Sequence, residues 1–175
     1  MPPPLRALHD AAAGRKEILG LQNALRLPGE LAAEEDGWVP FADENQGSWV
    51  LLYGPGGDDP PVRFDDYDRE RVEEEPLSGV LLQFLLLEAA LCSPYGAAGF
   101  FSGEDVDRVT EGLRPVPLAP ARWTGAPHKS FLGPGLVVTA DTIGEDEWFL
   151  AAGARAGEPL HRLRSLDLPW ERFEA

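Results

Sequence analysis

The first 27 residues carry apolar side chains at helical spacing, at Leu5, Leu8, Ala12, Ile18, Leu21 and Leu25. Residues three or four positions apart share one face of a helix, so this pattern predicts a helical segment. Gly14 favours a division into two short helices, and Pro28 followed by Gly29 ends the segment.

Three short runs of branched and aromatic residues follow, and each predicts a β-strand. They lie at residues 38–41, 48–53 and 61–64. The second run reads Ser-Trp-Val-Leu-Leu-Tyr and is closed by a Gly-Pro-Gly-Gly turn. In the third, Pro60 and Pro61 favour either an edge strand or the first residues of a strand, because proline donates no ladder hydrogen bond.

Residues 79–91 are apolar on nearly every face of a helix. Such a helix is buried, so we expect it in the core, against a sheet or between other elements. Ser78 is expected to be its N-cap. Glu88 is the odd member of this helix, and a solvent-facing position is favoured for it over a buried one paired with an arginine.

The remainder predicts strands at 113–118, 136–139 and 147–152 and a short helix at 159–166. The order of helix, strands, helix and strands predicts an α+β fold with a central antiparallel or mixed sheet flanked by helices. A chain of 175 residues is expected to form a single domain over residues 1–175.

The net charge of the chain limits the kinds of partner that it can bind. The chain holds 30 acidic and 15 basic residues, a net charge of -15, which argues against direct binding to nucleic acid or to anionic membranes. Nine acids and three arginines fall within residues 58–75, and such a surface attracts cationic partners. We therefore expect a basic protein partner to bind Asp58, Asp59, Asp65, Asp66, Tyr67, Asp68, Glu73, Glu74 and Glu75. A second patch is expected at Glu34, Glu35 and Asp36.

No catalytic residue, metal or cofactor is predicted. The three histidines lie far apart in the sequence and lack the spacing of a helical metal site. Cys92 lies in the apolar helix, where a thiol is usually inert. Neither Gly-Pro-Gly-Gly at 54–57 nor Gly-Pro-Gly at 133–135 ends in the Gly-Lys-Ser/Thr of a phosphate loop. A single cysteine and an N-terminus without a signal-peptide pattern predict a cytoplasmic protein.

Residues 43–95 carry an ordered set of motifs. Asp-Glu-Asn-Gln-Gly precedes a strand, Asp-Asp-Pro-Pro-Val follows it, and Leu-Ser and an apolar helix then lead to Pro-Tyr-Gly. This order resembles the SUKH (Smi/Knr-like) superfamily, in particular its bacterial branch. The resemblance implies a structural role for Glu44, Asn45, Gln46 and Gly47 as a turn, for Pro60 and Pro61 as a strand entry, and for Ser78.

The same resemblance implies an α+β binding module without enzymatic activity. Many bacterial members look like immunity proteins that bind and neutralise a toxin, often a nuclease. We therefore expect an immunity protein that occludes the basic active-site region of a cognate toxin. A regulatory or scaffolding module of the same fold is the alternative, and a hydrolase that uses paired carboxylates is a third hypothesis.

Overall fold

The computed structural model describes residues 1–13, 22–66, 68–124 and 127–175. The chain divides into two compact units, Met1–Leu85 and Leu86–Ala175. The described residues form four α-helices, namely α1 Pro3–Ala11, α2 Leu77–Cys92, α3 Gly103–Thr110 and α4 His161–Arg164. Their eleven strands are β1 Asn23–Leu25, β2 Val39–Glu44, β3 Val50–Tyr53, β4 Pro61–Asp65, β5 Glu70–Pro76, β6 Tyr95–Phe101, β7 Arg114–Pro115, β8 His128–Gly133, β9 Leu136–Thr142, β10 Trp148–Ala154 and β11 Arg172–Glu174.

The first unit is built on a five-stranded sheet in which β1 to β5 follow one another in chain order. Every neighbouring pair is antiparallel, and the connections from β2 to β5 are too short for a parallel crossover. Its fully buried side chains come from strands and helices, at Leu5, Phe41, Leu51, Val62, Leu77, Val80 and Phe84. The hairpin formed by β4, β5 and the turn between them lies at one end of this sheet and contains most of the predicted acidic patch.

The second unit is built on a six-stranded antiparallel sheet with the order β11-β6-β10-β9-β8-β7. On one face, Val106 and Val109 of α3 and Leu160 and Leu163 pack with alternate residues of β9 and β10. On the other face, Ala90 of α2 packs with Val137 and Ala151. Successive side chains of a strand point to opposite faces of the sheet. Because consecutive residues of β9 and β10 are apolar, both faces of this sheet are apolar and both are covered.

The α+β class is confirmed, with antiparallel sheets and flanking helices. The burial predicted for the apolar helix is also confirmed, because Val80, Phe84 and Ala90 are fully buried. Among the described residues, no helix has both the length and the apolar character needed to cross a bilayer.

Several local predictions are wrong. Residues 23–25 form a strand rather than a helix, because β2 pairs with them over the whole of β1. No element was predicted for residues 65–77, yet Glu70–Pro76 form β5 through pairing with β4. Sheet context overrides the weak strand propensity of glutamate. The helix predicted beyond Gly14 lies in residues 14–21, outside the described residues.

Two predictions about the apolar helix need correction. The helix begins at Leu77, so Ser78 lies in its first turn and is not the N-cap. Asp59 supplies the missing acceptor, since its carboxylate takes hydrogen bonds from the backbone N–H of Ser78 at 2.8 Å and from its hydroxyl at 2.6 Å. Glu88 is not solvent-facing, because only 8% of it is exposed, and Cys92 Sγ lies 3.8 Å from its carboxylate.

Candidate functional site

The negative charge is concentrated in the first unit. Residues 1–85 hold 17 acids and seven basic residues, whereas residues 86–175 hold 13 and eight. Two-thirds of the net charge of -15 therefore belongs to the unit that contains both predicted acidic patches.

Arg63, on β4, is the centre at which the two patches meet. Its guanidinium lies 2.7 Å from a carboxylate oxygen of Asp36, 3.5 Å from one of Glu34 and 3.9 Å from one of Glu70. The side chain of Arg63 is 11% exposed, whereas those of the three acids are 48%, 48% and 64% exposed. The structure thus places an almost buried cation under a rim of accessible carboxylates that come from separate parts of the chain.

Trp38 completes this centre. The Arg63 guanidinium carbon lies 4.9 Å from the centroid of the Trp38 ring, within the range of a cation–π contact. The ring lies against Gly54, where an added Cβ would be 3.0 Å from it, so glycine makes room for the indole. Val72 of β5 pairs with Arg63 in the register and is 56% exposed.

The loop before β2 holds its acids in place through a tight turn. Asp36 accepts a hydrogen bond from the Trp38 backbone N–H at 3.1 Å, and Gly37 adopts a φ of 85°, which favours glycine. The hydrogen bond from Arg63, together with this backbone bond, holds the pKa of Asp36 below its ordinary value. The carboxylate of Asp36 thus stays charged in acid more readily than a free aspartate.

Some of the predicted partner-binding acids have structural contacts. Asp59 holds the start of α2, and Asp66 accepts hydrogen bonds in the β4–β5 turn from the N–H groups of Asp68 and Arg69. Glu73 is 8% exposed and lies 3.4 Å from the Arg71 guanidinium. These contacts commit Asp59, Asp66 and Glu73 to the fold, and they remove Glu73 from the accessible surface.

Other predicted acids are accessible. Glu35, Asp58, Asp68 and Glu74 are exposed, and Asp65 and Glu75 are half-buried. Tyr67 lies outside the described residues. The accessible part of the predicted surface is therefore the turn at 34–36, the loop at Asp58 and the β4–β5 hairpin.

The motif residues form the turn between β2 and β3. The Glu44 carboxylate accepts hydrogen bonds from the backbone N–H groups of Gln46 and Ser48 and from the Ser48 hydroxyl. Gly47 adopts a φ of 74°. Asn45 is exposed in the same turn, so residues 44–47 close the connection between β2 and β3.

The prolines are at the start of a strand, which is one of the two positions expected for them. Pro61 is the first residue of β4, and Pro60 accepts a backbone hydrogen bond from Leu77. The strand itself lies between β3 and β5 and is not an edge.

Sequence reasoning missed a buried polar network in the second unit. His128 Nδ1 lies 2.8 Å from Asp141 Oδ1, which also accepts a hydrogen bond from the Thr124 hydroxyl at 3.0 Å. Because a carboxylate only accepts, Nδ1 carries the hydrogen. Ser130 Oγ lies 3.4 Å from His128 Nε2. The cross-strand pairing of His128 with Asp141 creates this network, and only the register reveals it.

The hydrogen-bonded chain from serine to histidine to aspartate has the arrangement of a catalytic triad. Burial of all three side chains favours a structural role for it instead. His128 is 2% exposed, and Ser130 and Asp141 are each 8% exposed, whereas a nucleophile must reach a substrate. Among the described residues, no group of three or more histidine, cysteine, aspartate or glutamate side chains is arranged to hold a metal ion.

Comparison of the chain with protein-family models, with curated proteins and with solved structures found no match. The acidic surface of the first unit, defined by Glu34, Asp36 and Glu70 around Arg63 and Trp38, is the feature with the composition of a binding site. We call it the Arg63 surface.

Proposed function

We propose that this chain is a non-enzymatic binding module that neutralises a cognate toxin by covering the toxin's basic active-site region. The observation that carries the proposal is the Arg63 surface, on which acids from residues 34–36 and from β5 meet around an arginine and a tryptophan. A nuclease is the toxin class we favour, because its active site is basic in order to bind phosphate. The protein would act in the cytoplasm of the cell that it protects.

The composition of the Arg63 surface suits this role. Tryptophan and arginine are enriched among the residues that dominate interface energies, and they act near the centre of an interface. Exposed charges at a rim mainly accelerate association and select the partner by charge. Trp38 and Arg63 would form the centre of the interface and the surrounding carboxylates its rim.

The sequence resemblance to the SUKH superfamily agrees with this proposal. The turn formed by residues 44–47 gives the family motif a structural purpose. The Arg63 surface lies outside residues 44–47 and supplies the contacts to the partner. If each toxin has its own inhibitor, we expect each inhibitor to bind through residues that are not part of the shared family motif.

A regulatory or scaffolding module is the alternative, and it would use the same surface for another basic protein. The gene beside this one discriminates between the two, since an immunity protein is expected next to a large secreted protein with a variable toxin domain.

The test is to purify the full chain together with the toxin domain encoded beside it and to measure both complex formation and loss of toxin activity. We expect a stable complex and inhibition. The variant E34K/E70K should weaken binding by about tenfold or more, because it reverses two rim carboxylates and leaves the 2.7 Å pair of Arg63 with Asp36 intact.

The matched control is E145K/E171K, which changes the net charge equally at exposed positions of the second unit. It should bind within about twofold of the unmodified protein, because rim effects are local at physiological salt. A toxin domain that stays active in the presence of excess protein would refute the immunity proposal. Binding of another basic protein in its place would favour the regulatory alternative.

A further inference from the structure

The strand β5 ends the order of the first sheet, so its outer side has no strand neighbour among the described residues. An edge strand presents unpaired N–H and C=O groups and is a template for another strand. We propose that β5 is a strand-addition site for a basic, extended segment of the partner. This inference rests on the proposed function and specifies how the partner is recognised.

The register shows which backbone groups point outward. Asp66 N–H donates to the Arg69 carbonyl at 3.2 Å, so these two residues form a hydrogen-bonded pair. Hydrogen-bonded and non-hydrogen-bonded pairs alternate in an antiparallel ladder. Asp65–Glu70 and Arg63–Val72 are therefore non-hydrogen-bonded pairs, and the N–H and C=O groups of Glu70 and Val72 point away from β4.

The side chains of β5 define the chemistry of the added strand. Glu70, Val72 and Glu74 share one face through the period of two, and all three are exposed. On this face of the sheet, a partner strand added beside β5 therefore places its side chains next to an acid, an apolar residue and a second acid. A basic, apolar and basic sequence at alternate positions complements it, since opposite charges across a strand pair are stabilising.

The same pattern disfavours a second copy of this chain in the register centred on Val72. Antiparallel pairing of two β5 strands about Val72 would place Glu70 of each copy opposite Glu74 of the other. Like charges directly opposite each other are destabilising, and charged side chains are a common means of protecting sheet edges from self-association. The acids of β5 thus disfavour pairing with another β5 and favour pairing with a basic strand, so repulsion and attraction both contribute to specificity.

The test uses the full chain labelled with ¹⁵N and a blocked peptide, Lys-Thr-Val-Thr-Lys, at millimolar concentration. We expect chemical-shift changes in β5 and amide exchange at Val72 slowed by about fivefold or more, because its outward N–H gains an acceptor. The amide of Arg71 is an internal control, since Arg71 pairs with Phe64 in a hydrogen-bonded position and its N–H faces β4.

The matched peptide Lys-Thr-(N-methyl)Val-Thr-Lys has the same charge and the same side chains, but in an antiparallel pair its methyl group replaces the N–H that faces β5 and keeps the two backbones apart. It should not protect Val72. If both peptides shift β5 equally without protection, or if neither shifts it, strand addition is refuted. The proposed inhibition of a toxin is measured separately, so its success or failure is distinguishable from this result.

Two variants extend the test to the toxin domain. Val72→Pro removes an N–H that makes no bond to β4, a position where an edge strand tolerates proline. It should abolish the chemical-shift changes that the first peptide causes in β5, and it should weaken toxin binding. Val72→Thr keeps the N–H and should behave like the unmodified protein. Unchanged toxin binding by Val72→Pro, in protein whose Arg71 amide remains protected, would also overturn the inference.

Discussion

Removal of the Asp141 carboxylate is expected to destabilise the protein strongly. Asp141→Ala removes the carboxylate that accepts hydrogen bonds from His128 Nδ1–H and from the Thr124 hydroxyl. The His128 side chain is only 1% exposed, so water cannot replace the lost acceptor. A buried group left without its partner costs about 1–3 kcal/mol, so we expect the free energy of unfolding to fall by about 2–4 kcal/mol with both bonds lost. Such a loss is a large part of the stability of a typical domain.

Urea unfolding followed by circular dichroism measures this change, provided that the dependence on urea stays the same. At about 2–4 °C per kcal/mol for a chain of this size, the midpoint of thermal unfolding should fall by about 4–16 °C. Asp141→Asn keeps an acceptor oxygen and should lie between the unmodified protein and Asp141→Ala.

Glu145→Ala is the control, because Glu145 is an exposed acid in the β9–β10 turn. It should change stability by no more than about 0.5 kcal/mol. If Asp141→Ala is as stable as this control, the network contributes nothing to the fold. A structural role for His128, Ser130 and Asp141 is then wrong.

Three further predictions concern the fold. Asp59→Ala should cost about 0.5–2 kcal/mol, because Asp59 is the acceptor at the start of α2 for Ser78; urea unfolding checks this. Burial raises the pKa of Glu44, but hydrogen bonds from the following turn more than offset it, so the pKa is lowered. The ionised Glu44 should therefore make the unmodified protein more stable than Glu44→Gln above the pKa of Glu44 in the unfolded chain. This difference in the free energy of unfolding should disappear as the pH falls through the pKa of Glu44 in the folded protein, and unfolding at about pH 6 and pH 3 measures it. Gly153→Ala should destabilise by about 1–3 kcal/mol or more in thermal unfolding, because a Cβ there would overlap the Ala89 carbonyl oxygen.

Each of these has a comparison that isolates its cause. Asp58→Ala removes the neighbouring exposed acid and should be nearly neutral. Gly29→Ala adds a Cβ that meets nothing within 4 Å and should not destabilise as Gly153→Ala does. A pH-independent difference between the unmodified protein and Glu44→Gln would contradict the lowered pKa.

Elements with a strong local signal were predictable from the sequence. The apolar run of α2 and the branched residues of β3 leave little choice of structure, and the Asn-Gln-Gly segment is a turn by its own chemistry. Elements that depend on long-range pairing were not predictable. β1 is a strand because β2 lies beside it, and β6 contains glycine and alanine that have low strand propensity and form a strand between β10 and β11.

The candidate site shows the same division. Charge counting identified an acidic stretch, but it could not tell Asp59, whose carboxylate binds Ser78 at the start of α2, from its neighbour Asp58. Nor did it indicate that the loop at 34–36 and β5 meet at Arg63, because that depends on tertiary structure. The His128 network was invisible because its partners lie on different strands.

The central claim is that the acids of the Arg63 surface direct association with a basic toxin. The most direct test is the association rate of E34K/E70K with the toxin domain, measured by stopped flow at low and high salt beside the control E145K/E171K. We expect the rate of E34K/E70K to fall by about tenfold or more at low salt and by less at high salt, while the control changes little. Equal rates for the two variants at low salt would contradict the claim and place the binding surface elsewhere.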